Sequence, residues 1–390
     1  MANPPAKRAG VPMPFDTEDN TFLLPGPVKM HPRVTRAMAV PAVAHRGTEF
    51  AKQSQEMNRL LQQVFQTQAP VVTLTGSGTA GMEAAAVSLL KKSDKVVGID
   101  NGKFGNRMCK LAAMYGDATI LKAEWGQPVA LDELERTLRT VKPKALFLTH
   151  NETSVGFTNP LQEIARLCRE HDTLVVADVI TSLGGIDVPV DKWGIDVAIT
   201  GSQKALGVPA GLAYVSVSEK ALSRMYKDQG FYLNLPKYVA KVAEGQTPYT
   251  PATHLYFATI EALKLLLQEG LENRFRKVRA QAEAVRGAVA AMGLELFPAE
   301  GYASDTVTAI KYPQGVDDSK FRKALKDTHS LIIAGGQDDV KGKIFRIGHM
   351  GTVSFVELAG GLAAIETELV RAGAKVNRGA WLAPFQDRMP

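Results

Sequence analysis

The sequence predicts an α/β protein, with a large domain built on a mostly parallel sheet of seven strands and a smaller α+β domain after it. Three observations predict this. Short apolar, β-branched runs alternate with amphipathic stretches from about residue 55 to residue 217, as buried parallel strands and their covering helices do. Strands alternating with helices imply right-handed crossovers and a sheet covered on both faces. After residue 250 the texture changes to one long helical region and then a shorter mixed set.

Residues 1–20, rich in Pro, Ala and charge and without periodicity, read as an N-terminal arm. Residues 21–268 then form the large domain, and residues 269–390 a connecting helix and the small domain. The expected strands are Val71–Leu74, Val96–Ile99, Ala118–Leu121, Ala145–Thr149, Leu174–Ala177, Val197–Thr200 and Leu212–Val217. Between them the 3.6-residue period marks helices over Thr79–Lys91, Gly105–Tyr115, Leu131–Leu138 and Leu161–Glu170. His254–Met292 is helical with an interruption near Gly270. Beyond it come Thr306–Ile310, Ser319–Leu325, Leu331–Ile333, Ile344–Ile347 and Phe355–Leu369. No internal repeat is present.

Composition narrows the function classes. A chain of 390 residues with 45% hydrophobic and 22% charged residues has ample material for a large core. No stretch approaches the roughly 18 apolar residues of a membrane span. The start, MANPPAKRAG, lacks the apolar segment of a secretory signal. Two cysteines, Cys109 and Cys168, exclude a disulfide framework and a cysteine-rich metal site, and suit a reducing cytoplasm. Lys plus Arg number 46 against 40 Asp plus Glu, a surplus of six. That surplus is spread thinly. Its densest stretch, Arg274, Arg276, Lys277 and Arg279, reads as a solvated helix face, so no nucleic-acid partner and no metal are expected. A modest positive field suits small anionic substrates.

In open parallel sheets ligands sit at the carboxyl ends of the strands, so the residues just past each strand carry the chemistry. After Val71–Leu74 comes Thr75-Gly-Ser-Gly-Thr79 and a helix. Glycines admit an anion, the helix N-terminus offers free N–H groups, and Ser77 and Thr79 add hydroxyls: a phosphate cradle, or a capped Gly-rich turn. It lacks the Lys of a Walker loop. Asp178 follows Leu174–Ala177; an acid there caps a turn or holds a cationic ring nitrogen. Lys204 follows Val197–Thr200 and is flanked by small residues; alone it reads as a surface lysine, or as an amine that desolvation makes a usable nucleophile and base. One ligand needs all three features: pyridoxal phosphate, with its phosphate, its ring nitrogen and its aldehyde. Phe104, past another strand, offers an aromatic face for the ring.

The chain resembles the class V, fold-type I pyridoxal-phosphate aminotransferases, in the alanine–glyoxylate, serine–pyruvate and archaeal aspartate aminotransferase branch. Leu24-Pro-Gly-Pro27, His45-Arg-Gly, Thr75–Thr79 and Asn101-Gly-Lys-Phe-Gly-Asn-Arg107 carry the likeness. So do His150-Asn-Glu-Thr-Ser154, Asp178, Ser182-Leu-Gly-Gly185, Thr200-Gly-Ser-Gln-Lys204, Gln246-Thr-Pro-Tyr-Thr-Pro251 and Phe345-Arg-Ile-Gly-His349. The resemblance implies Lys204 as the Schiff-base lysine and Asp178 as the partner of the ring nitrogen. Phe104 and Ile180 then flank the ring, and Thr153 bonds near its hydroxyl. Ser77, Gly78, Thr79 and Gln203 hold the phosphate. The family's phosphate is also reached from a second subunit, and Tyr249 and Thr250 lie in the matching segment, with Gln246 and Thr247 as alternatives. Arg346 clamps the substrate carboxylate, with the backbone at Gly26 over it. A homodimer is implied. Two departures, Val155 for a common Thr and Gly207-Val-Pro-Ala-Gly211 after the lysine, bear on substrate preference.

The expected activity is a ping-pong transfer of the α-amino group from a small amino acid (alanine, serine or aspartate) to glyoxylate, pyruvate or 2-oxoglutarate. A phosphoserine aminotransferase and a lyase are alternatives on the same fold. A cysteine desulfurase is excluded because no cysteine follows Cys168. A remoter alternative, a non-catalytic hydrogenase-associated subunit, conflicts with the presence of the lysine, the acid and the phosphate loop.

Overall fold

The computed structural model describes residues 20–389. The arm expected over residues 1–20 lies, apart from Asn20, outside them. Seven strands form the main sheet: β1 (Val71–Thr75), β2 (Lys95–Asp100), β3 (Asp117–Lys122), β4 (Ala145–Thr149), β5 (Leu174–Asp178), β6 (Val197–Gly201) and β7 (Leu212–Val217). Their order is β1-β7-β6-β5-β4-β2-β3. β2 pairs in parallel with β3 and β4, β4 with β5, and β5 with β6. Only β7 runs antiparallel, between β6 and β1.

Both faces are covered. Successive side chains on a strand point to opposite faces, and the two cores divide accordingly. Leu146, Leu148, Val175 and Ala177 meet the helices Thr48–Phe65, Leu161–Glu170 and Thr253–Glu269 on one face. Phe147, Val176, Val197 and Ile199 meet Gly78–Leu89, Lys103–Tyr115 and Leu235–Val242 on the other. The helix Thr48–Phe65 begins before the region where the sequence pattern becomes regular. It buries Phe50, Met57, Leu60, Leu61, Val64 and Phe65 on one face.

The long helical region divides at Gly270, whose φ of +84° ends Thr253–Glu269 and opens Leu271–Ala291. A side chain at that φ is strained, whereas glycine adopts it freely. Leu271–Ala291 contributes to a separate core with Phe321, Phe345, Ile347, Leu358 and Leu362. There Ile344–Gly348 lies between Val307–Lys311 and Ala334–Gly335 in an antiparallel sheet. The helix Phe355–Arg371 starts in a reciprocal cap between Ser354 and Glu357.

An N-terminal strap joins the two halves. Thr21–Phe22 pairs in parallel with Leu331–Ile332, and Leu23 is buried in the C-terminal core. The Gly348 N–H donates to Leu23 O (2.8 Å), and a few residues on the Val28 N–H donates to Gln203 O (3.1 Å). Among the described residues no helix is long and apolar enough to cross a membrane.

Candidate active site

Five parallel strands and the segments after them converge on one cavity. β1 delivers Ser77, Gly78 and Thr79; β2 delivers Phe104 and Arg107; β4 delivers Asn151 and Thr153. β5 contributes Asp178, Ile180 and Thr181, and β6 contributes Gln203 and Lys204. Nine residues expected at the site from the sequence therefore line one space: Ser77, Gly78, Thr79, Phe104, Thr153, Asp178, Ile180, Gln203 and Lys204.

The Lys204 amine donates to Pro25 O at 2.7 Å, so the strap touches the lysine. Gly26 makes the approach possible. Its φ is +104°, and a Cβ there would overlap Cδ and Nζ of Lys204. Burial above all, then the Arg346 charge, lower the ammonium from its ordinary value to about 8, against the pull of Asp178. Asp178 is pushed the other way. Burial raises it to about 7, although Ile180 N–H and the Thr149 hydroxyl both donate to its carboxylate. The cavity lining holds no His. Lys204 is thus its amine that can take and return a proton as a base near neutrality.

Arg346 sits on the central strand of the small sheet, opposite Ala309 and Ala334. Its Nη1 donates to Thr153 O (2.7 Å), and its Nε and Nη2 to Gly335 O (3.0 and 2.7 Å). Burial lowers it to about 10. No carboxylate lies in ion-pair contact with it among the described residues, so a buried guanidinium is left to meet an anion.

The lining fits pyridoxal phosphate on several counts. Ser77 occupies the N-cap of Gly78–Leu89 but its hydroxyl makes no capping bond, and the first-turn N–H groups of a helix have no internal partners. A Cβ at Gly78 would overlap Ile180 Cδ1, which closes the wall behind the cradle. Gln203 Oε1 is buried without a partner. Asp178 is buried with no cation bonded to it, a place suited to a protonated ring nitrogen.

The sequence reading assigned no role to Arg107, Asn151 and Thr181, which also line the cavity, or to Glu152. Glu152 is fully buried, and its Oε2 accepts from the Phe104 and Gly105 N–H groups (2.9 and 2.8 Å), anchoring the helix that carries Phe104. A carboxylate at a helix N-terminus is favoured by the dipole. The signal for Arg107 was its spacing, three residues past Phe104 on one helix face. Glu152 had none, because its partner helix comes from another part of the chain.

Tyr249 and Thr250 do not reach this chain's own cavity. The Tyr249 hydroxyl donates to Phe231 O (2.6 Å) and the Thr247 hydroxyl to Tyr249 O (2.6 Å). Gln246 and the Thr247 carbonyl accept from Arg46. Thr250 is exposed. Cys109 and Cys168 are buried free thiols, each raised to about 12 by burial, which suppresses the reactive thiolate.

The sequence model of the family described as Aminotransferase class-V matches residues 30–355. An uncharacterized aminotransferase of Methanocaldococcus jannaschii is 41% identical over 94% of this chain and 96% of its own length. The soluble hydrogenase small subunit of a Synechococcus species is 39% identical, over 90% and 93%. Among solved structures, ureidoglycine–glyoxylate aminotransferase of Bacillus subtilis superposes with a TM-score of 0.90 at 32% identity, covering 96% of this chain and 99% of that one.

Proposed function

The chain belongs to the class-V aminotransferases, a fold-type I family that uses pyridoxal phosphate, and from that premise we propose that it moves the α-amino group of a small amino acid to a 2-oxo acid. The donors in view are alanine, serine and aspartate. The acceptors are glyoxylate, pyruvate and 2-oxoglutarate, exchanged at one site by a ping-pong scheme. The observation that carries this reading is the meeting of Lys204, Asp178 and the Ser77–Thr79 cradle in one cavity, with the unpaired Arg346 guanidinium beside Lys204.

Each residue then has a task. Ser77, Gly78, Thr79 and Gln203 hold the phosphate, Phe104 and Ile180 bound the two ring faces, and Thr153 lies by the ring hydroxyl. Asp178 keeps the ring nitrogen protonated through a charge-assisted bond. When bound, pyridoxal phosphate supplies a cationic ring that stabilises the electron pair left at the substrate Cα. Lys204 would hold the cofactor at its aldehyde, and once the substrate's amino group has taken that place its freed amine would carry the Cα proton. Arg346, with Gly26 over it, fixes the substrate carboxylate, a bidentate task suited to a guanidinium. The B. subtilis relative is named for a glyoxylate acceptor, which supports a small 2-oxo acid here.

The active form is proposed as a homodimer with composite sites. Support comes from the exposed Phe231, 77% accessible, packed on Tyr249 at 5.6 Å between ring centroids. Of the four residues in the segment that resembles the family's second-subunit contact, Thr250 has the one hydroxyl without an acceptor inside this chain among the described residues. It is therefore the better donor to a neighbour's phosphate, while Tyr249 would first have to release Phe231 O. Two buried, unpaired thiols support a cytoplasmic location.

A hydrogenase-named relative leaves a non-catalytic role to be tested, and the residues argue against it, since the lysine, the acid and the cradle are all in place. The deciding experiment offers the cofactor-loaded protein a panel of amino donors against three 2-oxo acids. At least one pair should exchange, and Lys204→Ala should abolish it. Absence of exchange across the panel, or normal turnover in Lys204→Ala, would overturn the reading.

A further inference from the structure

We propose that Arg107 is a positioning residue for the phosphate end of the cofactor: its guanidinium holds the Thr79 hydroxyl so that the hydroxyl proton faces the cradle. The inference rests on reading the cavity as a pyridoxal-phosphate site and adds a residue to it.

The geometry leads there in three steps. Arg107 Nη1 donates to Thr79 Oγ1 at 3.0 Å, and both residues line the cavity. A hydroxyl has one hydrogen, and a guanidinium can only donate. With its oxygen accepting from Arg107, Thr79 must aim its hydrogen away from the guanidinium. A threonine in the first helical turn has few internal acceptors. The carbonyl four residues upstream, Thr75 O, accepts from the Tyr232 hydroxyl (3.1 Å). No acceptor for the Thr79 hydrogen is found among the described residues, which leaves it free for an anion at the cradle.

The guanidinium is itself held in place. Phe104 lies one helical turn earlier, and its ring centroid is 4.9 Å from Arg107 Cζ. Residues three apart share a helix face, and a planar cation over a ring is attracted by its π-cloud. Phe104 therefore serves on one side as a candidate wall for the cofactor and braces Arg107 as well.

Charge completes the argument. Ser77, Gly78, Thr79 and Gln203 are neutral donors, and a phosphate leaving water needs opposite charge nearby. Arg107 forms no ion pair with a carboxylate among the described residues. It is the cation next to the cradle, while Lys204 serves the other end of the ligand.

The experiment titrates cofactor-free protein with pyridoxal phosphate and, separately, with pyridoxal, which lacks the phosphate. Wild type, Arg107→Met, Arg107→Lys, Thr79→Val and the Arg107→Met/Thr79→Val double variant are compared, with thermal unfolding as the check on folding. Arg107→Met should weaken pyridoxal phosphate by about 10- to 100-fold, the range of one charge-assisted hydrogen bond. It should leave pyridoxal within about twofold, because the bare ring makes no use of the cradle. The double variant should lose less than the product of the two single losses, since both remove the same donor. Arg107→Lys should fall between wild type and Arg107→Met. If Arg107→Met does not fold, Arg107→Lys and Thr79→Val must still show the selective loss. Equal weakening of both ligands, or losses that multiply in the double variant, would overturn the inference. Wild type binding pyridoxal phosphate no better than pyridoxal would instead overturn the reading of the site itself.

Discussion

Replacing Lys204 by Met in the cofactor-free protein removes an energetic penalty whose size follows from where the amine sits. Burial first, and Arg346 second, depress the Lys204 ammonium from 10.5 to about 8. Between those values the unfolded chain binds the proton and the folded chain does not, so stability rises with pH across the window. The penalty is complete below about pH 8 and gone above about 10.5. The gap amounts to about 3 kcal/mol at pH 7. By pH 9.5 about 2 kcal/mol of it is relieved. Met lacks the titrating group and fills a similar unbranched volume. Its packing effect is independent of pH and cancels when the two proteins are compared across pH. Urea unfolding of both proteins at pH 7 and pH 9.5 should therefore show wild type gaining about 2 kcal/mol on Lys204→Met. If the difference between the two proteins stays constant, the folded-state amine is not depressed. Lys204 then loses its standing as a base near neutrality.

Asp178→Asn should bind pyridoxal phosphate more weakly and raise the barrier to transamination by several kcal/mol, on the order expected when a ring nitrogen loses its counter-charge; a wild-type kcat would remove Asp178 from that role. Gly26→Ala places a Cβ onto the Lys204 side chain at a φ of +104°, so thermal stability should fall by about 1–3 kcal/mol and the near-visible absorbance of the lysine-bound cofactor should weaken. Both readouts unchanged would mean that the lysine does not depend on the strap. Sedimentation at micromolar protein should give twice the chain mass, and mixing Lys204→Ala with a Tyr249/Thr250 double variant should restore part of the activity; confirmed hybrids without rescue would confine each site to one chain.

The seven strands could be read from the sequence because a parallel strand buried on both faces must be a short run of apolar, β-branched residues, as in Val96–Ile99 and Leu174–Ala177. Strand direction leaves no such mark. Leu212–Val217 is as apolar as its neighbours, and its reversal between β6 and β1 comes from the short path that leads into it. The helix Thr48–Phe65 was obscured at its start because its glutamine- and glutamate-rich exposed face dilutes the apolar stripe through Phe50, Met57 and Leu61. At the site, the residues that follow strands were accessible because the sheet edge dictates their place. Arg107 and Glu152 act across elements, one reaching Thr79 from a neighbouring helix and the other bonding Phe104 N–H from a loop. Periodicity within a segment carries no information about such encounters.

The strap has a consequence for the order of biosynthesis. Thr21 and Phe22 find their partners at Leu331 and Ile332, so this segment waits for a partner made much later in the chain. Pro25 O, which holds the Lys204 amine, lies a few residues beyond that pairing. The strap that carries this carbonyl is therefore fully seated only after the C-terminal sheet has been made and folded. Contacts so distant along the chain form late, and a nascent or prematurely terminated polypeptide would own a complete seven-stranded sheet yet lack a set lysine. The seating of the strap against Lys204 thereby becomes a report on the completion of synthesis.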